Sequence, residues 1–319
     1  VGAQLEGFDV MVKLTDSADF MVLEGDEYLS SPIDRRPKFH LYRPNIALLS
    51  GVAWDHINVF PTFENYLEQF KIFVDSITVG GSISYNSEDV NVKTIVEQSE
   101  NQVRKFPYQT PEHTIDAGLT YLETEEGPLP LEIFGAHNLN NLAGSKWICQ
   151  QMGVDQDDFY EAISSFSGAS KRLEKVAENA TSVVYKDFAH SPSKVKATTE
   201  AVKSQYPTRP LIACLELHTY SSLNHEFLEH YKGTLDAADT AVVFYSPQAV
   251  EIKKLESVTK SQIETAFEHK NLIIYTDPEL FKNYITSLEF AQKTVLLMSS
   301  GSYGGLDFEI LKNKLANPS

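Results

Sequence analysis

The 319-residue chain is 42% hydrophobic and 22% charged, with 16 Gly and 14 Pro, a balance that excludes collagen-like, disordered and low-complexity classes. Its 27 Lys and Arg against 44 Asp and Glu leave a net charge of −17, so neither nucleic acid nor an anionic membrane surface is expected as a partner. No apolar run approaches the ~20 residues that span a bilayer, and Cys149 and Cys214 lie in apolar runs and suggest no disulfide framework, which fits a cytoplasmic protein of two domains.

Short β-branched and aromatic runs alternate with helical patterns, which predicts an α/β protein built on mainly parallel sheets. In chain order the first half predicts strands at residues 9–14 and 19–25, then 45–50, and a helix over 62–76 with Phe63, Leu67, Phe70 and Val74 on one face. A strand at 82–86 and a helix over 89–98 follow, then a hairpin with arms 118–124 and 129–134 around Glu126-Gly127-Pro128. Helices are expected over 138–152, capped by Gly153, and over 155–166. The segment around 167–180 reads as an interdomain connection, with the boundary near Leu173: residues 1–172 form one domain and 173–319 the other. The second half predicts strands at 182–188, 211–217, 240–245, 271–275 and 294–298, with helices from Pro192, Leu223, Pro278 and Leu306 and more helix before Ala266.

Ligands of open α/β sheets bind beyond the carboxyl ends of the parallel strands, so polar residues there carry most weight. Glu24, Asp26 and Glu27 follow one expected strand and His56 another; together they offer oxygen ligands and an imidazole to Mg²⁺, or simply a solvated loop. Asp187 and His190 follow a strand of the second half, where an N-terminal helical turn is the plain alternative. His218 follows another strand, and the glycine-rich stretch Ser299 to Gly305 a third, before a helix N-terminus that suits an anion.

In order, these elements are Glu24-x-Asp26-Glu27, Asp55-His56 before a Phe-rich helix, Gly135-x-His137-Asn138-x-x-Asn141, Lys171-Arg172-Leu173-Glu174 and Asp187-Phe188-Ala189-His190-Ser191-Pro192. The series resembles the Mur ligase family, over essentially the whole chain. The resemblance implies the later part of a central ATP-binding domain followed by a Rossmann-like C-terminal domain. It also implies an ATP-dependent ligase that joins an amine to the carboxylate of UDP-N-acetylmuramate through an acyl phosphate, with ATP and Mg²⁺ as cofactors. Two stretches, Phe244-Tyr245-Ser246-Pro247 and Met298 to Gly305, look like the branch that attaches the tripeptide L-alanyl-γ-D-glutamyl-meso-diaminopimelate in peptidoglycan recycling. His218 and its neighbours Leu217 to Ser221 look more like the L-alanine-adding branch, so L-alanine stays as the alternative, beside a non-catalytic member of the fold.

Residue by residue, the resemblance makes Glu24 and His56 metal ligands, Asn138 the reader of the adenine edge, Arg172 a phosphate contact and Asp187 a ribose contact. Lys71, fifteen residues after His56, matches a lysine that is carbamylated in several members, and an exposed helix lysine would look the same. Lys71 and His190 are the candidate catalytic residues. His218, Ser299 and Gly304 face the incoming amine substrate in this reading. The family's Gly-Lys-Ser/Thr phosphate loop is missing, so the sequence reads as the last two-thirds of such an enzyme, not expected to be competent alone.

Overall fold

A computed structural model of the chain describes residue 10 and residues 12–54, 57, 59–169 and 172–316. It divides into two compact units, Val1–Ser167 and Gly168–Ser319. The division therefore falls a few residues before the expected Leu173.

In the first unit, strands β1 (Ile46–Leu49), β2 (Ser82–Asn86) and β3 (Arg104–Tyr108) form a parallel sheet in that order. Helices α1 (Phe63–Ser76) and α2 (Val90–Gln98) return the chain between them, each started by a side-chain cap: Thr62 accepts from Asn65 N–H, and Asp89 from Asn91 and Val92 N–H. Phe70, Phe73 and Val74 of α1 and Val92, Ile95 and Val96 of α2 bury against Ala47, Leu49 and Ile83. Strands β4 (His113–Asp116), β5 (Leu119–Thr124) and β6 (Gly127–Leu131) make a separate antiparallel sheet, in which β5 and β6 are the expected hairpin. Helix α3 (Ala136–Gln151) contacts all three strands of the parallel sheet, and α4 (Gln156–Ser164) contacts α3 and β6.

The expected strand at 19–25 is absent, and of the one at 9–14 the described residues are likewise not in a strand. Val12, Leu14, Phe20, Met21 and Val22 are exposed. A strand exists only where a neighbour completes its ladder, and the described residues offer these runs none. Strands β3, β4 and β7 were not anticipated; each is a short edge or hairpin strand whose polar, half-exposed pattern hides it.

The second unit carries β7 (Glu174–Glu178), β8 (Val183–Asp187), α5 (Pro192–Gln205), β9 (Leu211–Glu216), β10 (Thr240–Phe244), α6 (Pro247–Ile252), α7 (Lys260–Phe267), β11 (Leu272–Tyr275), α8 (Pro278–Ser287), β12 (Thr294–Met298) and α9 (Phe308–Ala316). The strands form one six-stranded sheet, β11-β10-β9-β12-β8-β7, parallel except for β7. Alternate residues Val295 and Leu297 pack with Phe281 and Ile285 of α8 and Leu311 and Leu315 of α9. On the opposite face, Met298 meets Thr199 of α5. Every residue of β9 and β12 is buried, as a parallel sheet covered on both faces requires.

The helix expected from Leu223 is instead a loop closed by a single 3-10 turn, Leu228–Tyr231. Thr219 and Ser222 exchange side-chain bonds with each other's backbone N–H, and Asn224 Oδ1 accepts from Glu226 and Phe227 N–H, which draws the backbone out of helical register.

Packing of α3 on its sheet generates a test. A Cβ on Gly144 would come 2.8 Å from Tyr108 Oη and 2.9 Å from Leu48 Cδ1. Alanine gains up to about 1 kcal/mol over glycine in a helix, but overpacking costs about 1–3 kcal/mol. Gly144→Ala should therefore destabilise the first unit in urea denaturation followed by circular dichroism. A variant as stable as the parent would contradict the close approach.

Candidate functional site

The carboxyl ends of β8, β9 and β12 lie side by side in the second sheet, since β12 pairs with both of the others. Asp187 ends β8. Its Oδ1 accepts from Ala189 N–H at 2.6 Å and its Oδ2 from Leu173 N–H at 2.5 Å, so the carboxylate ties the start of β7 to the turn before α5. The Asp187 carbonyl also accepts from Ser299 N–H, which draws the loop after β12 to the same edge. Arg172, exposed, lies with its guanidinium 5.6 Å from the centre of the Phe188 ring, beside Asp187. His190 is half-buried; its Nδ1 is 2.9 Å from Phe188 O, so that nitrogen carries the proton, and its carbonyl accepts from the buried Tyr231 hydroxyl.

Next to it, β9 ends in Glu216, 3% exposed, a residue that the sequence reading passed over as part of an apolar run. Its Oε2 accepts from Ser299 Oγ and, at 2.8 Å, from Tyr303 N–H. Ser299 Oγ in turn accepts from Gly301 N–H. His218, two residues after Glu216, keeps 42% of its side chain exposed, with Nδ1 3.9 Å from Glu216 Oε1. The signal available beforehand was a lone acid closing a six-residue run that is otherwise apolar.

Tyr303, Gly304 and Gly305 have φ of 52°, 64° and 84°. The left-handed region costs a tyrosine about 1–2 kcal/mol, and burial holds Tyr303 there: its ring stacks on Phe281 with centroids 5.0 Å apart, and its hydroxyl lies 2.7 Å from Met298 O and 2.8 Å from Cys214 O. Burial also pushes that phenol well above the ordinary range, so it remains a donor. A Cβ on Gly304 would come 2.5 Å from Pro278 Cβ. Its glycine is thus explained by backbone conformation and by Pro278, whereas close approach of a peptide was expected. Ser299, His218 and Asp187 end or follow neighbouring strands at the carboxyl edge of the second sheet.

In the first unit, Asn138 is half-buried in the first turn of α3, and its Nδ2 donates to Phe134 O at 2.9 Å. The neighbouring Asn140 is buried at 7% and bonds Glu88 Oε2, which also accepts from Thr110 N–H and Oγ1. Glu24 is exposed and not at a strand end, Asp26 is held by Lys38 at 2.6 Å, and His56 lies outside the described residues. Among the described residues no group of three or more His, Cys, Asp and Glu gathers for a metal ion.

Lys71 lies on helix α1. Helix α1 runs back from beyond the carboxyl end of β1 to Thr78, whose N–H donates to Pro44 O just ahead of β1. Lys71 pairs with Glu68 at 3.5 Å and borders a groove of about 560 Å³ with Asp75 and residues 98–101, where α2 leads into β3. That groove opens toward the amino-terminal edge of the parallel sheet. Lys71 is thus seen in an exposed helix ion pair, while His56, fifteen residues before it, lies outside the described residues.

Two α/β units, the second with polar groups gathered at the carboxyl edge of a parallel sheet, define a nucleotide-dependent class of enzyme fold. The sequence profile of the Mur ligase middle domain matches residues 7–148, and that of the Mur ligase glutamate ligase domain matches residues 171–301. The chain belongs to the Mur ligase family, whose members are ATP-dependent amide-bond ligases. A UDP-N-acetylmuramate–L-alanine ligase of Sulfurihydrogenibium is 27% identical over 322 residues, covering 98% of this chain and 68% of that protein. One of Caldicellulosiruptor bescii is 29% identical over 241 residues, covering 71% and 50%. Among solved structures, a murein peptide ligase from Psychrobacter arcticus aligns with TM-score 0.61 and 20% identity over 97% of this chain and 66% of that one. A MurF ligase from Thermotoga maritima in complex with ADP aligns with TM-score 0.61 and 16% identity over 85% and 61%. The chain thus spans about half to two-thirds of the length of these relatives.

The Asp187 anchor yields a prediction. Asp187→Ala leaves Leu173 and Ala189 N–H without their acceptor, at a cost of about 1–3 kcal/mol, while Asp187→Asn, which keeps one carbonyl oxygen, should fall between. Chemical denaturation of the second unit checks the order. Equal stability of all three proteins would remove the structural role assigned to this carboxylate.

Proposed function

We propose that the chain is the nucleotide-handling and amine-accepting part of a ligase that joins L-alanyl-γ-D-glutamyl-meso-diaminopimelate to UDP-N-acetylmuramate at the expense of ATP. A substrate carboxylate oxygen attacks the γ-phosphorus and ADP leaves, giving an acyl phosphate. The amine nitrogen then attacks the acyl carbon, loses a proton, and inorganic phosphate departs. Catalysis of this kind is mostly positioning and charge stabilisation.

Asn138, Arg172 and Asp187 are the proposed nucleotide contacts. An amide offers both donor and acceptor to an adenine edge, and Asn138 Oδ1 keeps its acceptor capacity after Nδ2 is used on Phe134. A guanidinium fits phosphate oxygens, and each Asp187 oxygen has a lone pair beyond its backbone bond. Mg²⁺ accompanies ATP as counter-charge in this reading, with no described residue assigned to hold it. His190, protonated at Nδ1, presents Nε2 near the same strand end.

The observation that supports the amine site is the meeting of Glu216 and Ser299 at the ends of β9 and β12, which are followed by two long loops, residues 217–227 and 299–307. Loops of that length suit a peptide better than a single amino acid. The L-alanine reading is favoured instead by the names of the curated relatives, all 24–29% identical.

The test is ADP release and amide formation by the complete encoded protein with ATP, Mg²⁺ and UDP-N-acetylmuramate. With the tripeptide, kcat/KM should exceed that with L-alanine by about tenfold or more, a ratio that pocket contacts readily supply. L-Alanine as the better substrate would establish the second reading. Absence of amine-dependent ADP release with either would end the ligase proposal.

A further inference from the structure

Buried carboxylates are ordinarily paired with a cation, because an isolated charge in a low-dielectric interior is expensive. Glu216 breaks that habit. Its side chain is 4% exposed, and among the described residues no Lys or Arg pairs with it; His218 is 3.9 Å away, beyond hydrogen-bond reach. Both of its hydrogen bonds converge on one oxygen, from Ser299 Oγ and Tyr303 N–H, and both donors belong to the loop after β12.

That loop needs holding. Of its three successive left-handed residues, Gly304 and Gly305 adopt that conformation freely, whereas Tyr303 has to be held in it. Between the two anchor points, the loop backbone lies directly on β9's end: a Cβ on Gly301 would come 2.8 Å from Glu216 Oε2 and 2.9 Å from His218 Cγ. Glu216 therefore holds residues 299–303, and the backbone at Gly301 lies against His218. The carboxylate sits behind, nearly sealed from solvent, and the imidazole and loop backbone form the surface in front.

We propose that Glu216 is the positioning residue of the amine-substrate site: it locks the Ser299 to Tyr303 loop against the end of β9, beside His218, in the arrangement that receives the incoming amine substrate. The proposal rests on the ligase reading above. Glu216 acts through its neighbours and does not touch substrate. An apolar side chain of similar size would pack in its place, but it would offer no acceptor to Ser299 and Tyr303, and the loop would be free to leave the end of β9.

The experiment compares Glu216→Leu, Glu216→Gln and Gly301→Ala with the parent in the complete protein, measuring KM for the amine substrate, KM for ATP, kcat and the thermal midpoint. Glu216→Leu should raise the amine KM by about tenfold or more while the ATP KM stays within about twofold, the mark of lost substrate binding at one site. Glu216→Gln keeps a carbonyl oxygen for the same two donors and should recover most of the affinity. Gly301→Ala retains the carboxylate but wedges the loop from it, and should reproduce the loss. An unchanged amine KM in a folded Glu216→Leu protein, or a matching rise in ATP KM, would overturn the proposal. If Glu216→Leu does not fold, an unchanged amine KM in Gly301→Ala overturns it. A parent protein inert toward every amine refutes the ligase reading itself; an active parent with unresponsive variants refutes only the role of Glu216.

Discussion

A parallel sheet covered on both faces leaves nowhere for chemistry except the strand ends, and this constraint governs the second unit. Strands β9 and β12 are buried along their whole length, and their partners β8 and β10 nearly so. Polar side chains would be desolvated without partners anywhere along them. They gather at the carboxyl edge, where Asp187, Glu216 and Ser299 follow or close neighbouring strands. The order of strands, with β12 returned between β8 and β9, is what brings the three together.

Each of these groups has a structural duty. Asp187 holds the entry to α5 and the start of β7; Glu216 holds the loop after β12; Tyr303 bridges that loop to the sheet through its hydroxyl. An edge built in this way is preorganised, since the donors and acceptors are fixed before any ligand arrives, and ligand binding need not spend free energy on ordering them. The cost is local: a tyrosine in a left-handed conformation and a buried carboxylate without a Lys or Arg partner among the described residues.

Much of this was legible in the sequence, and what was not has physical reasons. The buried parallel strands at 82–86, 211–216, 240–244 and 294–298 announce themselves as short apolar runs, and the helices by their periodicity and capping residues. Strand β7 is hidden because an edge strand such as Glu174–Glu178 needs no apolar run, and the Leu223 helix was misread because Thr219, Ser222 and Asn224 redirect the backbone with their own side chains. Asp187, His218 and Ser299 could be found from the strand-end rule alone. Glu216 was passed over because it stands inside an apolar run, between Leu215 and Leu217, and its role shows only with the loop that covers it.

Everything proposed for Glu216 depends on receipt of the amine substrate at the carboxyl edge of the second sheet. A crystal structure of the complete protein with the tripeptide and a non-hydrolysable ATP analogue tests this directly. The tripeptide should lie against His218 and the Ser299 to Gly305 loop, with Glu216 still bonded to Ser299 and Tyr303. Tripeptide density at the opposite edge of that sheet, or in the groove beside Lys71 and Asp75, would contradict it.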